Sequence, residues 1–145
     1  MDKAKDFISD KKLQACLQSF VENYGTSGLE QAMQYYTDMQ QSYICKSKNA
    51  MFKIKISSIY YMQIRRHTIT IYTDCGIYQK YGSLNHELDF LSRYHFVRCS
   101  QSCLVSLEKV RAINGSDITL SNGVTLHMSR NCILNVLTAF SNLPP

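Results

Sequence analysis

Residues 52–73, FKIKISSIYYMQIRRHTITIYT, contain the pattern that decides the fold. Ile54 and Ile56 alternate with polar residues, and Ile69 and Ile71 do the same after an Arg-Arg-His segment. Alternation with a period of two places successive side chains on opposite faces of a strand, so each run predicts a half-buried β-strand. The polar segment between the two runs predicts the turn that joins them.

Turn-forming residues recur at short intervals through the rest of the chain. Tight turns join neighbouring strands that run antiparallel, so many short strands with such turns predict a mainly β fold of small antiparallel sheets. No proline precedes Pro144, which leaves the strands free to pair throughout. The predicted turns are Ser47-Lys48-Asn49, Arg65-Arg66-His67, Asp74-Cys75-Gly76, Asn114-Gly115-Ser116 and Ser121-Asn122-Gly123.

Two short helices are predicted inside this β-rich part. The first runs from about Leu84 to Leu91, with Ser83 as its N-cap. The second lies at the C-terminus, residues 130–140, after Ser129. Serine favours the N-cap position because its hydroxyl can accept a hydrogen bond from an unpaired backbone N–H in the first turn.

The first 41 residues have a helical period instead. Gly25 is placed to end a first helix, and Ser27-Gly28-Leu29-Glu30 has the form of a capping box that starts a second. The sequence therefore predicts an N-terminal helical hairpin at residues 1–41 and a main domain at residues 42–145. The apolar positions at helical spacing are Leu13, Cys16, Leu17, Phe20 and Tyr24 in the first helix, and Leu29, Ala32, Met33 and Tyr36 in the second.

The positive charge of the chain lies in its later part. Residues 1–50 hold six lysines and six acidic residues, whereas residues 51–145 hold ten basic and five acidic residues. That later part contains all of the arginine, whose planar guanidinium suits phosphate and guanine. A polyanionic partner is therefore expected to bind there.

Catalysis and metal binding have no support in the pattern. The six cysteines include no CxxC pair, the four histidines form no nucleophile-and-base signature, and we expect the cysteines to be small buried residues. No run approaches the roughly 18 apolar residues of a membrane span, and no secretory segment follows the charged start. We therefore expect a cytoplasmic protein that is not an enzyme and requires no cofactor or metal.

Polar residues collect at predicted strand ends, in residues 65–67, 98–102 and 129–131. Arginine can donate two hydrogen bonds to guanine, glutamine can pair in the same way with adenine, and serine or asparagine can contact phosphates. The hydroxyl of Ser129, at the start of a helix, is expected to help form an anion site with the exposed backbone N–H groups. These three segments predict a nucleic-acid interface.

Residues 44–143 resemble the LytTR DNA-binding domain of bacterial transcriptional regulators. Three stretches carry the resemblance: KISSIYYMQIRRHTITIYT, YGSLNHELDFLSRYHFVRCSQSCLVSLEKV and LSNGVTLHMSRNCILNVLTAF. The first is similar to a strand-turn-strand hallmark, the second to an S-L-x-x-L…F-x-R-x-H-x-S core, and the third to a closing N-G…S-R strand and helix. Gln101 stands where asparagine is frequent in the family, and Ser106 replaces the usual asparagine.

The resemblance implies a transcriptional regulator that binds promoter duplexes, places loop residues in successive major grooves and bends the DNA. It implies that His67, Gln101 and Arg130 contact bases. The residues expected to contact the DNA backbone are Arg65, Arg66, Lys80, Arg98, Ser100, Ser102, Ser129 and Asn131.

Other hypotheses stay open at this point. One alternative is that this chain is a protein-interaction module of the same fold, which titrates a partner regulator without binding DNA. The presence of Arg130 and His67 argues against this alternative. Non-specific binding of RNA or single strands through the basic face is a third hypothesis.

The role of the N-terminal residues is likewise open. About forty residues are too few for a phosphorylatable receiver domain, so phosphotransfer control within this chain is not expected. The hairpin either packs on the main domain or forms a homodimer through Leu29, Met33 and Tyr36, which would place two DNA-binding domains on tandem half-sites. The resemblance further suggests a membrane-protein inhibitor as a partner.

Overall fold

The computed structural model describes residues 18, 28–34, 36–37 and 41–144, in a chain that divides into two units, Met1–Gln41 and Ser42–Pro145. In the first unit residue 18 and the described residues from 28 to 37 are helical. The rest of the predicted first helix and the capping residue Ser27 lie outside the described residues. The helical hairpin as a whole therefore stays a prediction.

The second unit is mainly β, as the alternating pattern predicts. Each of the five predicted turns marks the junction of two consecutive strands, although Arg65 and Asn114 belong to the strands that precede their turns, and both predicted helices form. The elements are β1 (Ser42–Lys46), β2 (Met51–Lys55), β3 (Ile59–Arg65), β4 (Thr68–Thr73), β5 (Ile77–Tyr81), α1 (Leu84–Leu91), β6 (Phe96–Ser100), β7 (Cys103–Ser106), β8 (Val110–Asn114), β9 (Asp117–Leu120), β10 (Thr125–His127) and α2 (Arg130–Ser141).

The strands form three antiparallel sheets. A central sheet has the order β5-β4-β3-β7-β6, a second has the order β10-β9-β8, and β1 pairs with β2 alone. In the central sheet Gln63 pairs with Cys103 and Arg65 pairs with Thr68, so the β3–β4 turn and the β6–β7 turn lie at the same end of the sheet. This end, called the loop end below, positions the candidate site.

Both faces of the central sheet are buried, each in its own apolar cluster. The alternation along β3 shows the division, because Met62 contributes to one cluster and Tyr61 to the other. The first cluster joins the central sheet to β1, β2 and α1, and the second joins it to the three-stranded sheet and α2. Complete burial of an isoleucine such as Ile69 or Ile71 contributes about 1.5–3 kcal/mol, so the two clusters account for much of the stability.

One buried charged group lies inside the first cluster. Glu87 on α1 is buried, and its carboxylate lies 2.6 Å from the Lys80 ammonium and accepts a 2.6 Å hydrogen bond from the Tyr43 hydroxyl. Lys80 also donates to the Tyr43 oxygen over 3.1 Å. This triad connects β1, β5 and α1, and burial together with the hydrogen bond to Glu87 raises the pKa of Tyr43.

Ser106, which stands where the family usually has asparagine, is buried at the end of β7. Its hydroxyl has no hydrogen-bond partner among the described residues. The strand nevertheless keeps its pairing with β6 up to this residue, since Ser106 pairs with Phe96.

Candidate nucleic-acid interface

The β3–β4 turn presents Arg65, Arg66 and His67, and all three are exposed. Arg65 still pairs with Thr68, so only Arg66 and His67 form the turn, and Arg66 adopts a left-handed backbone with φ of 60°. The carbonyl of His67 accepts a 3.1 Å hydrogen bond from the N–H of Gly82. The backbone of the turn is thus held against the chain that leads into α1.

The β6–β7 turn presents Gln101 and Ser102, both exposed. The carbonyl of Ser102 accepts a 2.9 Å hydrogen bond from the N–H of Ile64, which connects this turn to β3 just before Arg65. Ser100 is half-buried, and its hydroxyl accepts from the N–H of Ser102. The two turns are therefore neighbours at the loop end.

The start of α2 is attached to the same region. The N–H of Ser129 donates a 3.0 Å hydrogen bond to the carbonyl of Cys99 in β6, and Arg130 follows as the first helical residue with an exposed side chain. His67, Gln101 and Arg130 thus stand in three separate segments that converge on the loop end.

The cap that was expected at Ser129 does not form as predicted. Ser129 occupies the N-cap position, but its hydroxyl accepts no hydrogen bond from the backbone of the helix. The hydroxyl instead lies within hydrogen-bond distance of two side-chain acceptors, Oδ1 of Asn131 at 2.9 Å and Sγ of Cys132 at 3.2 Å. The N–H of Cys132 donates to the carbonyl of Ser129 over 2.9 Å, so the N–H groups that remain for an anion in the first helical turn are those of Arg130 and Asn131.

Arg98 supports the β6–β7 turn from within. One nitrogen of its guanidinium donates a 2.7 Å hydrogen bond to the carbonyl of Gln101, and another donates a 2.6 Å bond to Oδ1 of Asn85. The sequence had suggested Arg98 as a DNA-backbone contact and had given no role to Asn85. The sequence shows only that Asn85 is a polar residue in the first turn of α1. It does not indicate a bond to Arg98, which lies thirteen positions further along the chain.

Two grooves open at the loop end, and Ile64 lines both. The first has a volume of about 550 Å³ and collects four predicted site residues, Arg98, Gln101, Ser129 and Asn131. The second, of about 760 Å³, collects three more, Arg65, Arg66 and Ser102. Segments far apart in sequence therefore line two grooves that share Ile64. His67 and Arg130 line neither groove, but both are exposed and each is the chain neighbour of a lining residue, Arg66 and Ser129.

Lys80 is placed differently from the other predicted contacts. Its side chain is only 17% exposed and its ammonium lies against the buried Glu87 carboxylate. A lysine in strand β5 appears surface-directed from sequence alone, since nothing local reveals that Glu87 lies beneath it. We therefore leave Lys80 out of the candidate interface.

The charge at the loop end has one sign. The segments 64–68, 98–102 and 129–131 contain four arginines and no carboxylate. Arginines around two grooves, with helix N–H groups at one side, form a surface that attracts phosphate. The arrangement suits a polyanion whose charges repeat along an extended backbone.

Hydrolytic chemistry is not supported by the Ser116, His127 and Asp117 side chains, although these three residue types meet on the three-stranded sheet. Asp117 lies 3.0 Å and Ser116 3.5 Å from the same ring nitrogen, Nδ1 of His127. A catalytic triad requires the serine and the carboxylate to use different nitrogens of the histidine. Asp117 and His127 are also largely exposed, so the group is a surface polar cluster.

The described part of the chain holds no group of three or more His, Cys, Asp or Glu side chains arranged to bind a metal. Of the five described cysteines, Cys45, Cys99, Cys103 and Cys132 are buried, as predicted, whereas Cys75 is exposed. Hydrogen bonding with Cys99 and burial raise the pKa of Cys103. No helix among the described residues is both long and apolar enough to cross a membrane.

Comparison with known proteins agrees with this geometry. The family model described as the LytTr DNA-binding domain matches residues 49–141. A similar solved structure is the LytTr DNA-binding domain of a protein described as a methyl-accepting/DNA response regulator from Bacillus cereus, with a TM-score of 0.60 and 16% identity. The match covers 68% of this chain and 94% of that one. No curated protein sequence matches. The family match spans more than half of the chain, and the protein therefore belongs to the LytTR DNA-binding domain family.

Proposed function

We propose that the second unit binds duplex DNA in a sequence-specific manner and acts as a transcriptional regulator, with His67, Gln101 and Arg130 in contact with bases. The observation that carries the proposal is the convergence of two turns and the start of α2 at the loop end. Hydrogen bonds from Ile64 to Ser102 and from Ser129 to Cys99 hold these segments together. Side chains on a rigid framework can probe base edges without first paying a large ordering entropy.

Each proposed base contact has a suitable chemistry. Arg130 can donate two hydrogen bonds to O6 and N7 of guanine, and Gln101 can pair with N6 and N7 of adenine. His67 can donate or accept, depending on its protonation. The major groove is the site of contact in this proposal, because only there does each base pair present a distinct pattern of donors and acceptors.

The surrounding side chains are proposed to hold the DNA backbone. Arg65, Arg66 and Ser102 are exposed around the grooves, where their side chains can meet phosphates. Asn131 accepts a hydrogen bond from the Ser129 hydroxyl through Oδ1, and its amide NH2 group can donate to a phosphate. The hydroxyls of Ser100 and Ser129 already have hydrogen-bond partners within the protein. These two residues are therefore proposed to support DNA binding by fixing the protein backbone of their segments. Arg98 acts mainly as a positioning residue for Gln101.

The experiment that tests this proposal is selection of bound fragments from random duplexes, followed by binding measurements on the selected and a scrambled duplex at several salt concentrations. A specific binder returns a defined motif and prefers the selected duplex at physiological salt. Recovery of unrelated fragments, with equal affinity for both duplexes, would overturn the proposal and favour non-specific nucleic-acid binding.

The same selection tests the proposed homodimer. Two copies of a motif at a fixed spacing of about one helical turn would support two domains bound to tandem half-sites. A protein that binds no duplex but captures a partner regulator would instead be an interaction module of the same fold. The membrane-protein inhibitor rests on the family resemblance alone.

A further inference from the structure

The β1–β2 hairpin, residues 42–55, is a basic surface outside the proposed interface. It holds four lysines, Lys46, Lys48, Lys53 and Lys55, and no acidic residue. All four side chains are exposed, and none forms an ion pair within the described residues. The family match begins only at residue 49, so β1 precedes it.

The turn of this hairpin lies beside the loop end. Ser47, Lys48 and Asn49 line a hollow of about 300 Å³ together with Thr68 and Tyr81. Thr68 follows His67 directly and pairs with Tyr81. The lysine-bearing turn is therefore adjacent to the first proposed base-contacting turn, on the side away from Gln101, because β4 and β5 lie on that side of β3.

The hairpin is held in this position by contacts along its length. The N–H of Ser47 donates to the carbonyl of Ala50 over 2.9 Å, which closes the turn. Phe52 packs on Tyr78 with ring centroids 4.9 Å apart. The Tyr43 hydroxyl donates a hydrogen bond to the buried Glu87 carboxylate. Lys48 is thus presented from a fixed turn rather than from a loose segment.

We propose that the turn Ser47–Asn49 binds the phosphate backbone of DNA that flanks the base-contacted site, with Lys48 as the principal contact. This inference rests on the proposed function and extends it, because it adds a contact beyond the bases. The charge and the position both favour DNA as the occupant: a duplex that lies across the β3–β4 turn continues past β4 and β5 towards Lys48. A lysine ammonium suits this role as a point charge that needs no defined geometry.

The test compares Lys48→Ala with Lys55→Ala in the full chain. Both variants remove one exposed charge from the same hairpin. Lys55, however, pairs with Ser42 at the open end of the hairpin. A strand rises about 3.4 Å per residue, which places Lys55 roughly 17 Å from the turn. Each variant and the wild type are measured on two duplexes, the minimal selected site and the same site extended by ten base pairs on each side. Thermal unfolding verifies that both variants fold.

The expected result is that Lys48→Ala weakens binding to the extended duplex by roughly threefold or more and lowers the salt slope by about 1, with little effect on the minimal duplex. Lys55→Ala should have a smaller effect on both duplexes, because screening weakens charge interactions beyond about 10 Å. Equal effects of the two variants, or an equal loss from Lys48→Ala on both duplexes, would overturn this inference and leave the proposed function intact. Failure of the wild type to bind either duplex would overturn both.

Discussion

The guanidinium of Arg98 joins two segments by donating one hydrogen bond to the carbonyl of Gln101 and another to the side chain of Asn85. Gln101 belongs to the β6–β7 turn and Asn85 to the first turn of α1. One side chain therefore fixes the turn against the helix. This contact gives Arg98 a positioning role toward Gln101, alongside the DNA-backbone contact that the sequence predicts and that stays a prediction.

Substitution Arg98→Lys should relax the base preference at the position that Gln101 is proposed to contact, while the charge is kept. Lysine has a single ammonium and cannot reproduce the two diverging hydrogen bonds of the planar guanidinium. The loss in discrimination at that base pair should reach at most about 1–3 kcal/mol, the discrimination that one good bidentate base contact supplies. Binding to the selected duplex and its single-base-pair variants measures this. Arg93→Lys, at an exposed arginine after α1, is the control and should leave the preference unchanged.

Substitution Arg130→Ala should cost about 1–3 kcal/mol on the selected duplex and much less on scrambled DNA, because it removes the proposed base contact. Arg111→Ala is the matched control: it removes the same charge from an exposed arginine near the start of β8. Comparison of both variants on both duplexes separates the loss of a contact from the loss of net charge. Equal losses for Arg130→Ala on selected and scrambled DNA would assign this arginine to the backbone.

Substitution Lys80→Ala should destabilise the fold rather than weaken DNA binding alone. It leaves the Glu87 carboxylate buried without its cation, a change that costs about 3 kcal/mol or more in unfolding free energy. Urea unfolding measures this, with the exposed Lys53→Ala as a control expected to stay within about 0.5 kcal/mol. The triple variant Lys80→Met/Glu87→Leu/Tyr43→Phe, which removes the buried ion pair together with the hydroxyl bonded to it, should recover most of the loss. A reduced salt slope with unchanged stability would restore Lys80 to the DNA interface.

The stability of the second unit should fall at alkaline pH because of Tyr43. Burial and the hydrogen bond to Glu87 raise the pKa of Tyr43 above its ordinary value of 10.0. The folded chain then holds the phenolic proton more tightly than the unfolded chain, so this contribution is complete below pH 10 and is lost as the pH rises above it. The expected slope is about 1.4 kcal/mol per pH unit.

Urea unfolding of the wild type and Tyr43→Phe between about pH 9 and pH 11 measures this contribution. The phenylalanine variant has no phenolic proton, so its stability should decline less steeply above pH 10, although it starts lower because the bond to Glu87 is lost. Parallel pH curves for the two proteins would contradict the prediction.

Substitution Arg66→Gly should stabilise the fold and weaken DNA binding at once. Arg66 has φ of 60°, a left-handed conformation that costs a non-glycine residue about 1–2 kcal/mol, whereas glycine adopts it readily. The greater freedom of glycine in the unfolded chain offsets part of this, so the net gain should be about 0.5–1 kcal/mol. Chemical unfolding and duplex binding, measured on the same preparations, check both effects. Arg65→Gly, in strand β3, should show no gain in stability.

Local patterns in the sequence were enough for the turns, the two helices and most strands of the second unit. The run through Ile54 and Ile56 differs from the prediction, because Ile56 begins a 3-10 helix and β2 pairs with β1, while β3 precedes the Arg-Arg-His turn. Alternation around Ile69 and Ile71, turn residues such as Asn114-Gly115 and the cap at Ser83 act over a few residues and need no distant partner. The bond from the His86 N–H to the Ser83 hydroxyl shows the expected cap. The three segments of the candidate interface could also be predicted, because polar residues at strand ends are exposed wherever the strands lie.

The partners of individual side chains were decided only by the tertiary structure. The sequence around Lys80 is typical of a surface lysine, but in the fold Lys80 contacts Glu87 and Tyr43. Tyr43 is separated from Glu87 by 44 positions. Glu87 lies on the buried face of α1 with Leu84 and Leu91. This spacing indicates that the acidic side chain is buried, but it does not identify the residues that pair with it. The intramolecular partners of Arg98 and Ser129 could not be predicted from the sequence either. Hydrogen bonds depend on which atoms come within about 3 Å, and packing sets that distance.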